Sequence, residues 1–145
     1  MPSRGKRIAD ILDFYREKND AVPIVVEGIR DVSTLRKLEF SGRIIPLNNG
    51  KSLMNFSEVL SREFREVILL TDFDRKGVRL KKEISRYLES LGTSVDVKLW
   101  GALMGLMPIR SIEELPWAVE KSLEENRKIV NINLVSRRYR KVNKD

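Results

Sequence analysis

The chain is 145 residues long, which is enough for one domain with its own hydrophobic core. It has no Cys and no His, which excludes disulfides, thiol chemistry, Ser–His nucleophiles and His-based zinc sites. No apolar run approaches the ~20 residues of a membrane span, and no signal-peptide pattern follows the basic start. We therefore expect a cytoplasmic protein without membrane contact, whose chemistry depends on carboxylates, Lys, Arg, Tyr, Ser or a bound metal.

The formal charge of +7 is concentrated near the C-terminus. Residues 127–145 hold seven basic residues and one acidic residue, whereas the remaining 126 residues are nearly neutral. A basic terminal segment usually contacts nucleic acid or another polyanion, and a tail that only improves solubility is the alternative. Charged residues make up 34% of the chain and Gln is absent, a bias typical of proteins from thermophiles.

Short apolar runs alternate with amphipathic stretches along the chain. The β-branched and aliphatic runs predict four strands, over residues 23–26, 43–47, 66–71 and 94–100. Apolar residues at helical spacing predict four helices, over residues 5–18, 32–38, 51–62 and 76–91. Asp31 is expected to cap the start of the second helix, and Gly92 to follow the end of the fourth.

The region after the fourth strand is expected to be less regular. Residues 101–108 are predicted to form an apolar connection. A last helix begins either at Ser111, which with Glu114 resembles a capping box, or near residue 115, which places Pro116 in its first turn. Residues 129–135 alternate in polarity and predict an added edge strand, and Trp100 and Trp117 are expected in the core.

This alternation of strands and helices predicts an α/β fold. Right-handed crossovers then give a Rossmann-like, mostly parallel sheet of about four strands flanked by helices. Ligands of such sheets bind beyond the carboxyl ends of the strands, so residues that follow the strands are the candidates for function.

Acidic residues follow two of the predicted strands. The first strand continues into Glu27-Gly28-Ile29-Arg30-Asp31, and the third into Asp72-Phe73-Asp74-Arg75-Lys76-Gly77. In extended backbone, Asp72 and Asp74 point to the same side. We predict that the two strands are neighbours, so that the acids share one crevice, where their repulsion favours a cation. Oxygen ligands suit Mg²⁺ or Mn²⁺, and Gly28 and Gly77 are expected to let the backbone turn beside the site.

The two motifs together are more specific than either alone. A buried strand ending in E-G-x-x-D, followed 45 residues later by a buried strand ending in D-x-D-x-x-G, resembles the Toprim family. That family is named for topoisomerases and DnaG-type primases and includes the nuclease RNase M5 and the recombination protein RecR. The resemblance implies that Glu27 is a catalytic acid/base or a metal ligand, that Asp72 and Asp74 are metal ligands, and that Asp31 is an auxiliary catalytic acid.

The resemblance also implies a division of the chain. We expect residues 1–21 to form an N-terminal helix packed on the domain, residues 22–107 the Toprim core, and residues 108–145 a C-terminal helix with a basic tail. The alternative is that the acids are only helix caps and turn formers.

Several basic residues are candidates for nucleic-acid binding. Asn48-Asn49-Gly50-Lys51 resembles the Asn-Gly stretch of RNase M5-like members; there Gly50 is a turn residue, and Lys51 either contacts phosphate or starts a helix. The fourth predicted helix carries a basic stripe, for which a solvated helix face without function is the alternative. The candidates are Arg75, Lys76, Arg79, Lys82 and Arg86 on that helix and Arg137, Arg138, Arg140 and Lys141 in the tail.

We expect none of the separate domains that topoisomerases and DnaG-type primases use. The resemblance is therefore greatest to small stand-alone archaeal and bacterial members, with RNase M5 as the nearest named relative. We expect a Mg²⁺- or Mn²⁺-dependent endonuclease that acts on structured RNA or DNA, with RNA favoured. The alternative is a non-catalytic module that binds metal and nucleic acid within a larger nucleic-acid-processing complex. A haloacid-dehalogenase-like phosphatase is less consistent, because Lys76 stands where that family has Thr or Val.

Overall fold

A computed structural model describes residues 2–47, 50–125 and 127–128 of the chain. Its strands are β1 (Ile24–Val26), β2 (Ile44–Pro46), β3 (Glu66–Leu69) and β4 (Ser94–Asp96). They form one four-stranded sheet in the order β2-β1-β3-β4, and every neighbouring pair is parallel. The predicted α/β fold is confirmed, and the sheet is entirely rather than mostly parallel.

Helices connect the strands and cover both faces of the sheet. They are α1 (Arg4–Asn19), α2 (Ile29–Lys37), α3 (Leu53–Glu63), α4 (Arg75–Ser90) and α5 (Lys98–Leu106), followed by a 3₁₀ turn (Ile112–Glu114). Residues 115–125 are also helical. Among the described residues, no helix has both the length and the apolar character needed to cross a membrane.

The central strands β1 and β3 are buried on both faces, so their alternate side chains enter two separate hydrophobic clusters. Ile24, Val26, Ile68 and Leu70 point to the face covered by α1, α2, α5 and the C-terminal helical segment. The opposite residues Val25, Val67 and Leu69 pack against side chains of α3 and α4. The sheet therefore lies between two helical layers, and its carboxyl end is where ligands of such sheets bind.

The region after β4 differs from the prediction. Residues 97–100 do not continue the strand, and residues 98–106 form α5 rather than a strand end and a connection. Leu99, Trp100 and Leu103 are buried at helical spacing, and the Asp96 Oδ1 atom accepts a hydrogen bond of 2.9 Å from the Lys98 amide at the helix start. A helix therefore buries these apolar residues better than an extended strand would.

The structure also differs from the prediction in the cap of one helix and in the environment of one tryptophan. Gly28, not Asp31, caps α2, whereas Gly92 does lie beyond the end of α4 with φ +89°. Trp100 is in the core as predicted, but Trp117 is 60% exposed, so its assignment to the core was wrong. Both interpretations of Ser111 hold in part, because it starts the 3₁₀ turn and the helical segment follows from residue 115. The edge strand predicted over residues 129–135 lies outside the described residues.

A buried polar cluster fastens α1 to the sheet. The Tyr15 hydroxyl lies 2.9 Å and 3.0 Å from the two carboxylate oxygens of Asp96, and Lys18 Nζ contacts both Asp96 and Glu66. Burial opposes ionisation of Asp96, but the hydrogen bonds from Lys18, the Lys98 amide and Tyr15 outweigh it and lower the pKa of Asp96. Burial and the Asp96 carboxylate raise the pKa of Tyr15 to about 12. The cluster is thus an ionised, fully hydrogen-bonded anchor for α1.

We predict that Asp96→Asn lowers the free energy of unfolding by about 2–3 kcal/mol at neutral pH, because Lys18 loses a buried charged partner. The lowered pKa means that ionised Asp96 contributes stability above the ordinary Asp pKa of about 3.9 and loses it as the pH falls. Denaturant unfolding from pH 7 to pH 2 should therefore show the two proteins converging in acid. Asp20→Asn, at an exposed position, is the control, and equal unfolding curves for the two variants would contradict the prediction.

Candidate functional site

The parallel pairing of β1 with β3 brings Glu27 and Asp72 together. The Leu70 amide donates to the Val25 carbonyl at 2.9 Å, so the two chains still run side by side just before the acids. Glu27 follows β1 directly, and Asp72 follows the buried pair Leu70-Thr71. The two carboxyl groups adjoin at the carboxyl end of the sheet. The predicted adjacency of the first and third strands is confirmed.

This acid pair is electrostatically strained. Burial, the adjoining Asp72 carboxyl and the charge of Asp74 raise the pKa of Glu27, whereas Lys76 acts in the opposite direction. The Oε1 atom of Glu27 is buried, and no described group hydrogen-bonds to it. An unpartnered buried carboxylate oxygen beside a second carboxylate is costly unless a proton or a cation joins the pair.

Backbone amides hold one oxygen of each aspartate. The Ile112 amide donates to Asp72 Oδ1 at 2.9 Å, and the Gly77 amide donates to Asp74 Oδ1 at 2.7 Å, which makes Asp74 the N-cap of α4. The indole of Trp100 also donates to the Asp72 carbonyl oxygen at 3.4 Å. These bonds orient both carboxylates while leaving a second oxygen on each for another partner.

Among the described residues, the available oxygen donors do not form a complete protein cage around a metal. They suit a magnesium-type ion, which keeps much of its water shell. Within the described ranges, no group of three acidic residues is arranged closely enough to hold a metal by itself. Mg²⁺ commonly takes only one or two protein carboxylates and keeps several waters. The unpartnered Glu27 Oε1 and the adjoining Asp72 carboxylate match that requirement, with Asp74 nearby.

Asp31 lies near the Glu27–Asp72 pair, but one of its oxygens is hydrogen-bonded to the backbone. Its Oδ2 atom accepts a hydrogen bond of 3.1 Å from the Gly28 amide, so it closes the first turn of α2 from the third helical position. Burial, together with the charges of Asp72 and Glu113, raises its pKa, although the Gly28 amide opposes this. Asp31 therefore orients the backbone that follows Glu27 and adds negative charge to the site.

Residues 22–100, just over half of the chain, match the Toprim domain family. This chain belongs to the Toprim family. The matched segment contains both acidic motifs and the whole parallel sheet. Family membership indicates a metal-dependent function on nucleic acid.

Similar proteins have been found in several archaea. The UPF0292 protein TV1259 of Thermoplasma volcanium is 48% identical over 111 residues, which cover 77% of this chain and 93% of that protein. The UPF0292 protein TK1411 of Thermococcus kodakarensis is 37% identical over 118 residues, which cover 79% and 84% of the two chains. A solved structure of an Aquifex aeolicus protein has a TM-score of 0.65 and 28% identity, and the match covers 73% of this chain and 95% of that one.

The two glycines of the Toprim motifs have different roles. A Cβ atom on Gly77 would lie 1.9 Å from the Asp72 carbonyl oxygen, so only glycine allows α4 to start this close to the acidic loop. The Gly77 carbonyl also accepts a 2.8 Å hydrogen bond from the buried Thr71 hydroxyl. Gly28 has ordinary extended backbone, with φ −142°, and a Cβ there would meet nothing within 4 Å. The expectation that both glycines are needed for sharp turns is therefore wrong for Gly28.

The basic candidates are only partly assembled around the acids. The α4 residues Arg75, Lys76, Arg79, Lys82 and Arg86 are exposed, and Lys76 is close enough to lower the pKa of Glu27. Lys51 is exposed but lines a different pocket, at the β2 edge of the Toprim sheet, and Gly50 lies in a turn before it. Asn48 and Asn49, and the tail residues Arg137, Arg138, Arg140 and Lys141, lie outside the described residues.

Sequence reasoning missed the contribution of residues 107–112 to the Toprim site. The Arg110 carbonyl oxygen accepts a 2.7 Å hydrogen bond from the Phe73 amide, and Ile112 binds Asp72 through its own amide. Because these contacts use backbone atoms, they leave no residue-type pattern in the sequence. Arg110 itself has no spacing to other basic residues that would have marked it as a site residue.

We predict that Gly77→Ala destabilises the protein by about 1–3 kcal/mol, because the added methyl group would overlap the Asp72 backbone. Gly101→Ala is a matched control, since it lies in α5 with open space around its Cα, and it should stabilise by about 0.5–1 kcal/mol through helix propensity. Denaturant unfolding of both variants measures the difference. A stabilising effect of Gly77→Ala would contradict the close contact between residue 77 and the Asp72 backbone.

Proposed function

We propose that this protein is a metal-dependent endonuclease of the RNase M5-like Toprim type, which cleaves phosphodiester bonds of structured RNA or DNA, with RNA favoured. The observation that supports it most directly is the adjoining Glu27–Asp72 pair with its unpartnered Glu27 oxygen. A bound Mg²⁺ or Mn²⁺ would neutralise the pair, polarise a phosphate oxygen and supply an activated water.

The chain's own residues have separable roles in this proposal. Asp72 and Asp74 hold the ion with the oxygens that the Ile112 and Gly77 amides leave free. Glu27 comes from another strand than the aspartates and adjoins Asp72, so it can accept or donate a proton at the scissile bond. Asp31 orients the Glu27-Gly28 backbone as an auxiliary acid.

The exposed cations of α4 provide a path for the nucleic-acid backbone in this proposal. Arg75, Arg79, Lys82 and Arg86 form a stripe that starts next to the acids, and all four are exposed. Phosphates along such a stripe would be bound without sequence preference, since each contact releases counterions. The fold therefore supports a strand that runs from the acid pair along α4.

One observation favours a second candidate, a non-catalytic module that binds metal and nucleic acid within a larger nucleic-acid-processing complex. Asp72 and Asp74 each use one oxygen to cap a backbone amide, which is a structural role. The same residues would then bind an ion that positions nucleic acid without cleaving it.

We predict that the acids fail differently when neutralised. Asp72→Asn and Asp74→Asn keep the capping oxygen but should abolish Mg²⁺ or Mn²⁺ binding and cleavage together. If Glu27 acts in proton transfer, Glu27→Gln should keep metal and nucleic-acid binding and lower the cleavage rate by a factor on the order of 10² to 10⁴, whereas loss of metal binding in Glu27→Gln would make Glu27 a direct ligand like Asp72. Calorimetry and single-turnover cleavage of structured RNA and DNA separate these effects.

The outcomes of this experiment discriminate the two candidate functions. Glu58→Gln, at a half-buried position on α3, is the matched control and should behave as the wild type. Cleavage by Glu27→Gln at the wild-type rate would remove its acid/base role. A wild-type protein that binds metal and nucleic acid but cleaves neither RNA nor DNA would leave the binding module as the function.

We predict that deletion of residues 136–145 weakens nucleic-acid binding of every sequence and flattens its salt dependence. The deletion removes five cations, Arg137, Arg138, Arg140, Lys141 and Lys144. If all contact phosphates, the slope of log K against log[salt] should fall by up to about 4. A full-length chain with glutamine at the five positions is the control for loss of length, and a wild-type slope in both proteins would show that the tail does not bind phosphate.

A further inference from the structure

An open cleft of about 520 Å³ lies next to the acidic motif at the start of α4. It is lined by Phe73, Asp74, Arg75, Lys76 and Arg110. Three of these residues are cations and one is an acid, so the cleft carries excess positive charge immediately beside the negative acid pair. Such a cleft suits one phosphate group of a strand whose next phosphate lies at an ion held by the acids.

The backbone of Arg110 is fixed from both sides. Its carbonyl oxygen accepts the 2.7 Å bond from Phe73, and its amide donates to the Glu114 carboxylate at 2.6 Å. The following Ser111 amide donates to the same carboxylate at 3.0 Å, and these bonds lower the pKa of Glu114. The Arg110 Cα is therefore held at a set position relative to the Asp72–Asp74 loop, while its residue remains exposed.

The cations of the cleft are available for a ligand. Among the described residues, Arg75, Lys76 and Arg110 have no carboxylate within ion-pair distance, whereas Arg4, Arg16, Lys18 and Arg43 do. Asp74 is the acid that lines the cleft, and one of its oxygens is already bonded to the Gly77 amide. Unpaired cations on a fixed backbone are preorganised for an anion that comes from solution.

We infer that Arg110 binds a phosphate group of the nucleic-acid strand, in the cleft that it forms with Arg75 and Lys76. This inference rests on the proposed function, and it adds a positioning residue that lies beyond the Toprim-matched segment of residues 22–100. A guanidinium presents a planar fork to two phosphate oxygens, and the fixed backbone sets its distance from the acids. Arg110 thereby places the strand so that the next phosphodiester meets Glu27 and Asp72.

The test measures nucleic-acid binding in EDTA, where no divalent metal is present and cleavage does not contribute. Fluorescence anisotropy with a labelled hairpin RNA and the matching hairpin DNA compares the wild type with Arg110→Ala, Arg110→Lys and Arg65→Ala. Arg65 is the matched control, because it is exposed and precedes β3 at the opposite end of the sheet. Unfolding curves check that each variant is folded, as expected because the contacts of residue 110 to Phe73 and Glu114 use backbone atoms.

Arg110→Ala should weaken binding about 10-fold or more, Arg110→Lys should restore part of the affinity, and Arg65→Ala should bind like the wild type. Oligonucleotides with a 5′-phosphate or a 5′-hydroxyl distinguish the source of the phosphate. A loss confined to the 5′-phosphate oligonucleotide assigns the cleft to a terminal phosphate, and a loss with both assigns it to an internal diester.

Equal affinities of Arg110→Ala and Arg65→Ala would overturn the inference, while cleavage by the wild type with Mg²⁺ would still support the proposed function. The reverse result, an Arg110 effect on binding without any cleavage, would support the inference and reject the nuclease. A wild-type protein that binds none of these oligonucleotides in EDTA would overturn the inference, whereas the proposed function would still be decided by cleavage with Mg²⁺.

Discussion

The parallel pairing of two short buried strands, β1 and β3, is the constraint on which the rest of this molecule depends. Each strand is enclosed on both faces by helices, so its backbone has one position and one register. The acids that follow the strands are consequently held together although they repel each other. The packing energy of the two hydrophobic clusters maintains this arrangement, and the unpartnered oxygen of Glu27 is its local cost.

A second layer of contacts keeps the acidic loop in position. Gly77 brings the start of α4 against the Asp72 backbone, and the Thr71 hydroxyl bonds to the Gly77 carbonyl. From the other side, Ile112 donates its amide to Asp72 and Phe73 donates to the Arg110 carbonyl. The loop is thus held by backbone contacts at both ends, which leaves carboxylate oxygens and basic side chains available for a ligand.

The acidic site is separate from the ionic cluster that anchors α1 to the sheet. The Tyr15–Lys18–Asp96–Glu66 cluster fastens α1 to β3 and β4, and Asp96 also holds the start of α5 through the Lys98 amide. In that cluster every charge has a partner, whereas among the described residues neither the acid pair nor the cations of the neighbouring cleft form an ion pair. Paired charge stabilises the fold, and unpaired charge marks the surface where an ion or a phosphate is expected to bind.

The sequence by itself determined the order of the elements as far as β4 and the two acidic motifs, from which we predicted that the first and third strands are neighbours. These follow from apolar periodicity and from acids directly after buried runs, which are local signals. Only the tertiary structure decided that residues 98–106 form a helix, that Asp31 completes a cap led by Gly28, and that Trp117 is exposed. It also decided that Arg110 reaches the cleft, because Arg110 and Ile112 are brought there by long-range backbone hydrogen bonds, which any residue type can form.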